Sequence, residues 1–254
     1  MSQEEHYPLA PGLVREWTKA GRWLFRWRSY LPLAVLAYLL LLEAVTPYAH
    51  FMDRDAAAVL GLLIAASGLG VRAWAVGHVP AGTSSRGTRE IGASTLNTDG
   101  LYSVVRHPLY LGNFLMWMGL AVQAAHVAGV LVSALVFWVY YERIMLAEER
   151  FLTQRFGAEF DAWSRETPAF FPRLSEWRPS PLPFSFRYAL GRDYQAIYAL
   201  VASATVIELV RSLAAGQGWV LRPVWLAFFA AGTVLYFLVD YLRRHTSALS
   251  VQGR

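Results

Sequence analysis

The chain has 254 residues, of which 56% are hydrophobic and only 16% charged, with a formal net charge of +5 and a mean hydropathy of +0.32. A soluble domain of this length carries about 25% charged residues, so the composition excludes an ordinary soluble fold and points to a polytopic, all-α integral membrane protein. Cysteine is absent, which rules out disulfides, thiolate metal sites and a cysteine nucleophile.

The N-terminal "MSQEEHYPLA" is acidic and polar, unlike a cleavable signal peptide, and the C-terminal "SALSVQGR" carries no lipidation signal. Leu13, Trp17, Ala20, Leu24 and Trp27 recur every three to four residues, opposite Arg15, Lys19, Arg22 and Arg26. That pattern predicts an amphipathic helix in the headgroup layer, tryptophans at the interface and cations toward anionic lipid. Six apolar stretches then predict six membrane helices, at 30–45, 56–79, 109–126, 127–146, 194–213 and 224–242. The third and fourth are separated only by "QAAHVAG" and should form a tight hairpin. This divides the chain into an interfacial segment (1–29), a four-helix core (30–175), and a linker with two additional spans (176–254).

Arginine dominates the positive charge, since Lys19 is the only lysine. It concentrates in the N-terminal segment, the connections after the second and fourth spans, and the tail. The alternate connections hold only Arg54, Arg211 and Arg222. The positive-inside rule therefore places both termini in the cytoplasm of a cell whose inner or plasma membrane holds the chain. The cations are dispersed among apolar spans rather than arranged as a stripe, so nucleic acid is not an expected partner. The partners expected are the lipid bilayer and a membrane lipid or lipidated substrate; the oligomeric state is left open.

Two connections on that face are richer than topology requires: "PAGTSSRGTREIGASTLNTDG" (80–100), a loop by its Gly, Ser and Thr content, and "EERFLTQRFGAEFDAWSRETPAFFPRL" (148–174), which opens as a charged helix. Between them lies "RHP". Pro108 suits the first helical position, with His107 at the N-cap and Arg106 just outside. A helix N-terminus favours anions and oxygen-rich ligands, although an Arg-His pair can also serve merely as an anchor. Glu148 and Glu149 end the fourth span, where the helix dipole disfavours negative charge; Glu142 and Arg143 lie within the apolar stretch itself. Ionisable groups at membrane depth suggest function, the alternative being a helix that simply continues into solvent.

"GLYSVVRHPLYLGNFLMWMG", followed by "EERFLTQRFGAEFDAW" and "PAFFP", resembles the isoprenylcysteine carboxyl methyltransferase family and its wider membrane relatives, the phospholipid methyltransferases. The resemblance rests on a spaced set: Gly100 and Tyr102; Arg106, His107, Pro108, Tyr110 and Gly112; Glu148 and Glu149; Phe156 and Gly157; Pro168 or Pro172. It implies a membrane-embedded methyltransferase that binds S-adenosyl-L-methionine without a Rossmann domain and needs no metal. Carried over, the cofactor shell comprises Ser94, Thr95, Leu96, Asn97, Tyr102, His107, Pro108, Leu109, Tyr110 and Glu148. The family's substrate-facing arginine falls here on Ile144, with Arg143 beside it, a departure that bears on the acceptor.

Methyl transfer from a sulfonium needs aligned reactants, and positioning can supply roughly 7–11 kcal/mol. An oxyanion acceptor, phosphate or carboxylate, needs no base; an ammonium acceptor must first lose a proton, for which His107 or Glu149 are the candidates. Arginine suits anionic head groups, and Arg143, Arg106, then Arg86 or Arg89 are expected to bind them. The catalytic set so read is Arg106, His107, Arg143 and Glu149. The stretch 85–115 resembles bacterial relatives that methylate the 1-phosphate of lipid A, a prenylcysteine carboxylate being the other named acceptor. The helical architecture also resembles NADPH-dependent membrane sterol reductases, and a non-catalytic membrane protein is the third reading.

Overall fold

Backbone N–H and C=O groups in a bilayer have no water to pair with, so an apolar segment must satisfy them internally, and a helix does this. All six apolar segments are helical in the computed structural model, which describes residues 12–47, 49–80 and 94–251. The helices are α1 (Gly12–Trp27), α2 (Leu31–Val45), α3 (Arg54–Gly77), α4 (Pro108–Ala124), α5 (Val127–Phe156), α6 (Ala158–Glu166), α7 (Phe186–Ala214) and α8 (Pro223–His245). Among the described residues, extended pairing is limited to one bridge between Gly100 and Arg178.

The count of spans differs from the predicted six. Only α3, α5, α7 and α8 are long and apolar enough to cross a membrane by themselves. The 15 residues of α2 and 17 of α4 rise about 22 and 25 Å at 1.5 Å per residue, short of a hydrocarbon layer about 30 Å thick. Joined to α1 across a 74° bend, α2 gives a fifth candidate span. The predicted stretches 30–45 and 109–126 agree with α2 and α4 to within two residues, so the difference lies in how such short helices are counted and not in where they fall.

The amphipathic α1 is present, with Leu13 and Trp27 exposed. Gly21 and Phe25 are buried at a close crossing with α5, where a Cβ on Gly21 would collide with the Arg143 carbonyl. Trp23, Trp27 and Tyr30 are exposed and follow one another as tilted ring pairs, the residue types enriched at a headgroup layer.

Small residues set the tightest pairing, α3 against α4. A Cβ on Gly61 would lie 2.5 Å from the Gly119 carbonyl oxygen, and one on Gly68 equally close to that of Gly112. Helices that cannot use the hydrophobic effect against lipid pack through such close backbone approach. The hairpin between α4 and α5 turns at Ala125, in the left-handed conformation, and His126. Helix α5 then runs 30 residues without a break, carrying Glu148 and Glu149 into the polar region before Gly157, at φ +55° and ψ −125°, turns the chain into α6. A side chain at Gly119 would collide with Gly61 and Ala65. Gly119→Val is therefore expected to destabilise the protein by about 3 kcal/mol, read as a lower thermal midpoint in detergent, whereas Gly70→Ala, which meets nothing within 4 Å, leaves it unchanged.

Candidate active site

The connection before α4 is shaped by its own backbone bonds. Gly100, at φ +60° and ψ −132°, starts a single 3-10 turn, Leu101–Ser103. Its N–H donates to the Arg178 carbonyl at 2.9 Å, while the Ser103 hydroxyl donates to Gly100 and accepts from the Arg178 N–H. The Arg106 and His107 N–H groups donate to the Pro168 and Ala169 carbonyls, and the Arg173 N–H to Val104. The Trp163 indole donates to the Tyr102 carbonyl at 3.1 Å. These bonds strap α6 and the strand-like segment after it beneath the mouth of α4. Pro108 opens that helix and His107 precedes it, without a side-chain cap.

The His107 ring turns instead to the two glutamates. Its Nε2 lies 3.0 Å from Glu149 Oε1 and its Nδ1 3.5 Å from Glu148 Oε2, and the ring stacks on Tyr110. Arg106 donates through Nε to Glu149 at 2.9 Å and through Nη1 to the Ser164 and Thr167 carbonyls. Burial works against a charged imidazole, but the hydrogen bonds and charges of Glu148 and Glu149 outweigh it and raise His107 to about 9. The raised value favours the imidazolium form at neutral pH, and Glu149 is engaged by both Arg106 and His107, an arrangement that suits holding charge more than the general-base role expected from the sequence.

A cavity of about 600 Å³ opens beside this knot, within the range of ligand pockets. Of the residues named from sequence, Thr95, Leu96, Asn97, Tyr102, Arg106, His107, Pro108, Leu109, Tyr110 and Glu148 line it. Burial, helped by the Glu148 charge, pushes the Tyr102 hydroxyl well above its ordinary range, so it is a neutral donor. Ser94 and Glu149 are not on the wall; Glu149 stands behind His107. Arg143 is on the wrong face: α5 presents Tyr141, Glu148 and Leu152 to the cavity, with Ile144 fully buried on that side. Arg143 is two residues from Tyr141, about 200° around the helix, and covers the Trp17 ring at 4.9 Å. Arg86 and Arg89 lie outside the described residues.

Sequence reasoning missed part of the wall. Arg72 on α3 donates to Asn113 Oδ1 at 2.8 Å and pairs with Asp193 Oδ1 at 2.6 Å, and all three line the cavity with Arg28 and Arg192. The signal was available in Arg72, the only Arg, Lys, Asp or Glu within 56–79, by the same criterion of charge at membrane depth that singled out Arg143. Helix α7 contributes to the wall from Arg192 to Ser203, beyond the core expected to end at 175.

Residues 56–159 match the phospholipid methyltransferase family model. The chain is 40% identical over 124 residues to the cobalt-zinc-cadmium resistance protein CzcN of Cupriavidus metallidurans, covering 49% of this chain and 56% of that protein. It is 30% identical over 79 residues to the protein-S-isoprenylcysteine O-methyltransferase of Schizosaccharomyces pombe, covering 31% and 34%. Over 197 residues it is 32% identical to methanethiol S-methyltransferase 2 of Bradyrhizobium diazoefficiens, covering 70% of this chain and 74% of that protein. No solved structure matches. The site and the matches together define a membrane-embedded class, and the chain belongs to the phospholipid methyltransferase family, to which the isoprenylcysteine methyltransferases are related.

Because the folded His107 value, about 9, exceeds the ordinary 6.5, its contribution to stability is full below pH 6.5 and is lost as pH rises through about 9. The thermal midpoint of the purified protein is expected to fall across that window, and the fall to flatten in His107→Gln. Arg106→Ala leaves Glu149 short of a cation and two carbonyls unpaired, a loss of about 1.5–3 kcal/mol measurable in the same assay at pH 7.

Proposed function

We propose that the protein is an S-adenosylmethionine-dependent methyltransferase acting on an anionic, membrane-borne acceptor at the cytoplasmic face. One observation carries this reading: Tyr102, the 106–110 turn and Glu148, which lie in three separate stretches of sequence, converge on one cavity that continues into apolar walls from α2, α4 and α7. The residues present suit the cofactor. Glu148 offers a carboxylate for an ammonium or hydroxyl groups, the α4 mouth offers a helix N-terminus without a side-chain cap for a carboxylate, and two buried atoms on the wall, Arg72 Nε and Asp193 Oδ2, have no hydrogen-bond partner among the described residues.

Bound S-adenosylmethionine supplies an electrophilic methyl group on a sulfonium. The protein's part is positioning. His107 and Tyr110 flank Glu148 and orient it at the cavity wall, and Arg106 fixes the strap that closes the floor. Apolar walls exclude water, so an acceptor's charge is not stabilised by solvent before transfer. Arg143 and Arg106 give way as acceptor-binding groups to Arg28, Arg72 and Arg192, whose place on the wall favours an anion. A base is then unnecessary, consistent with His107 being protonated. Phosphate and carboxylate head groups both satisfy this chemistry. A thiol is the second reading, favoured by the name of the Bradyrhizobium relative; the same arginines would favour its thiolate.

Titration calorimetry with S-adenosylhomocysteine tests the reading. The wild type should give saturable heat, Glu148→Gln and His107→Ala at least tenfold weaker binding, and NADPH none; heat from NADPH alone would favour a reductase instead. With a methyl-labelled donor, label should enter the lipid fraction of membranes and be lost in Glu148→Gln. Label only on added methanethiol would establish the thiol reading.

A further inference from the structure

The opposite end of the helices holds a second polar centre that the methyl-transfer reading does not use. It lies one length of α4 away, roughly 25 Å for 17 residues. Three segments meet there: the last turns of α2 with Glu43, the connection to α3 with His50, and the α4–α5 turn with His126. Glu43 is fully buried and His126 nearly so, at 4% side-chain exposure. The His50 Nε2 is 3.1 Å from Glu43 Oε2, the His126 Nε2 is 3.9 Å from Glu43 Oε1, and the two rings are 4.6 Å apart. One ligand atom from each residue lies within 4.8 Å of the others.

Two features distinguish this group from a buried ion pair. First, Glu43 already has its cation: Arg211 contacts both carboxylate oxygens, at 2.6 Å for the shortest pair, and also reaches Glu208 and the Gln123 carbonyl. Glu208 is in turn held by Arg54 at 2.7 Å. The charges of this network balance without either histidine. Second, His126 Nε2 is buried with no hydrogen-bond partner among the described residues, although it is directed at the carboxylate. The backbone of Ala49 lies beside the same ring, where a backbone carbonyl can orient a metal-binding imidazole. A buried nitrogen left without a partner is otherwise costly.

We propose that Glu43, His50 and His126 form a binding site for a divalent transition-metal ion of the Zn²⁺, Co²⁺ and Ni²⁺ type. Two imidazoles and one carboxylate suit these ions rather than Mg²⁺ or Ca²⁺. Metal–nitrogen bonds of about 2.0 Å in a tetrahedron separate ligand atoms by about 3.3 Å; the two carboxylate–imidazole distances, 3.1 and 3.9 Å, bracket that value, and all three ligand atoms lie within 4.8 Å of one another, so a small closing movement completes the site. The cation displaces the proton that His50 Nε2 shares with Glu43; the proton passes to His50 Nδ1 or to water, and Glu43 keeps its Arg211 contact as the outer support. A fourth position stays open to water or an anion on the side of His50, which is 20% exposed. The bound ion would tie the end of α2 to the α4–α5 turn.

The test uses full-length protein without a polyhistidine tag, stripped with chelator and exchanged into detergent. Zn²⁺ should bind at one equivalent and raise the thermal midpoint, Co²⁺ should show the visible absorption of a tetrahedral site, and Mg²⁺ should do neither. His126→Ala should weaken Zn²⁺ binding at least tenfold. His50→Ala, at a more exposed position, should do the same and serves should the first variant fail to fold. Absence of Zn²⁺ binding by the wild type, or Zn²⁺ binding and stabilisation that persist in the variants, would overturn the proposal. S-adenosylhomocysteine binding, measured in parallel, should survive in both variants, so the two readings fail or stand separately.

Discussion

Two adjacent carboxylates at the end of a long apolar helix cannot stay ionised in a water-poor setting unless cations are brought to them. The fold is organised around meeting that need. Glu148 and Glu149 leave the membrane on α5, and Arg106 and His107 are delivered from the other side of the hairpin at the mouth of α4. Removing water strengthens each attraction while raising the cost of any unpaired member. The same arginine ties two carbonyls of the following segment, Ser164 and Thr167, so charge neutralisation and closure of the cavity floor are one event. Between two carboxylates His107 favours its cationic form, which suits a site that holds and aligns its ligands.

The cavity that results is assembled from helices far apart in the chain. Arg72 from α3 bridges Asn113 of α4 and Asp193 of α7, and this polar bridge brings the C-terminal helices into the site. Close glycine-mediated contact between α3 and α4 leaves no room between those two, so the open volume is pushed to the side where α2, α5 and α7 diverge. An apolar acceptor chain would find lipid-like walls there, while its head group would meet the guanidinium groups.

The far end repeats the logic with different partners. Glu43, Glu208 and Arg211 are buried together, and Arg54 completes the balance. A network of this kind adds little net stability over apolar packing, but removal of one partner is costly, so it fixes which helices stand beside which. His50 and His126 hang on its edge as the nitrogen donors that the balance does not require.

By itself the sequence determined the class of molecule, the six apolar helices and the tight α4–α5 turn, because hydropathy and local backbone preferences act over a few residues. The family resemblance of its motifs also named Thr95, Leu96, Asn97, Tyr102, the 106–110 turn and Glu148, which line the cavity. The partner of α1 and the direction of Arg143 were decided only by tertiary structure: a crossing at Gly21 and the rotation of α5 about its axis are set by what packs against them. The same holds for the pairing of Arg72 with Asp193 and of His107 with two glutamates. A charge inside an apolar stretch can be seen in the sequence, but its meaning depends on which distant groups share its low-dielectric surroundings, and only the folded chain brings those together.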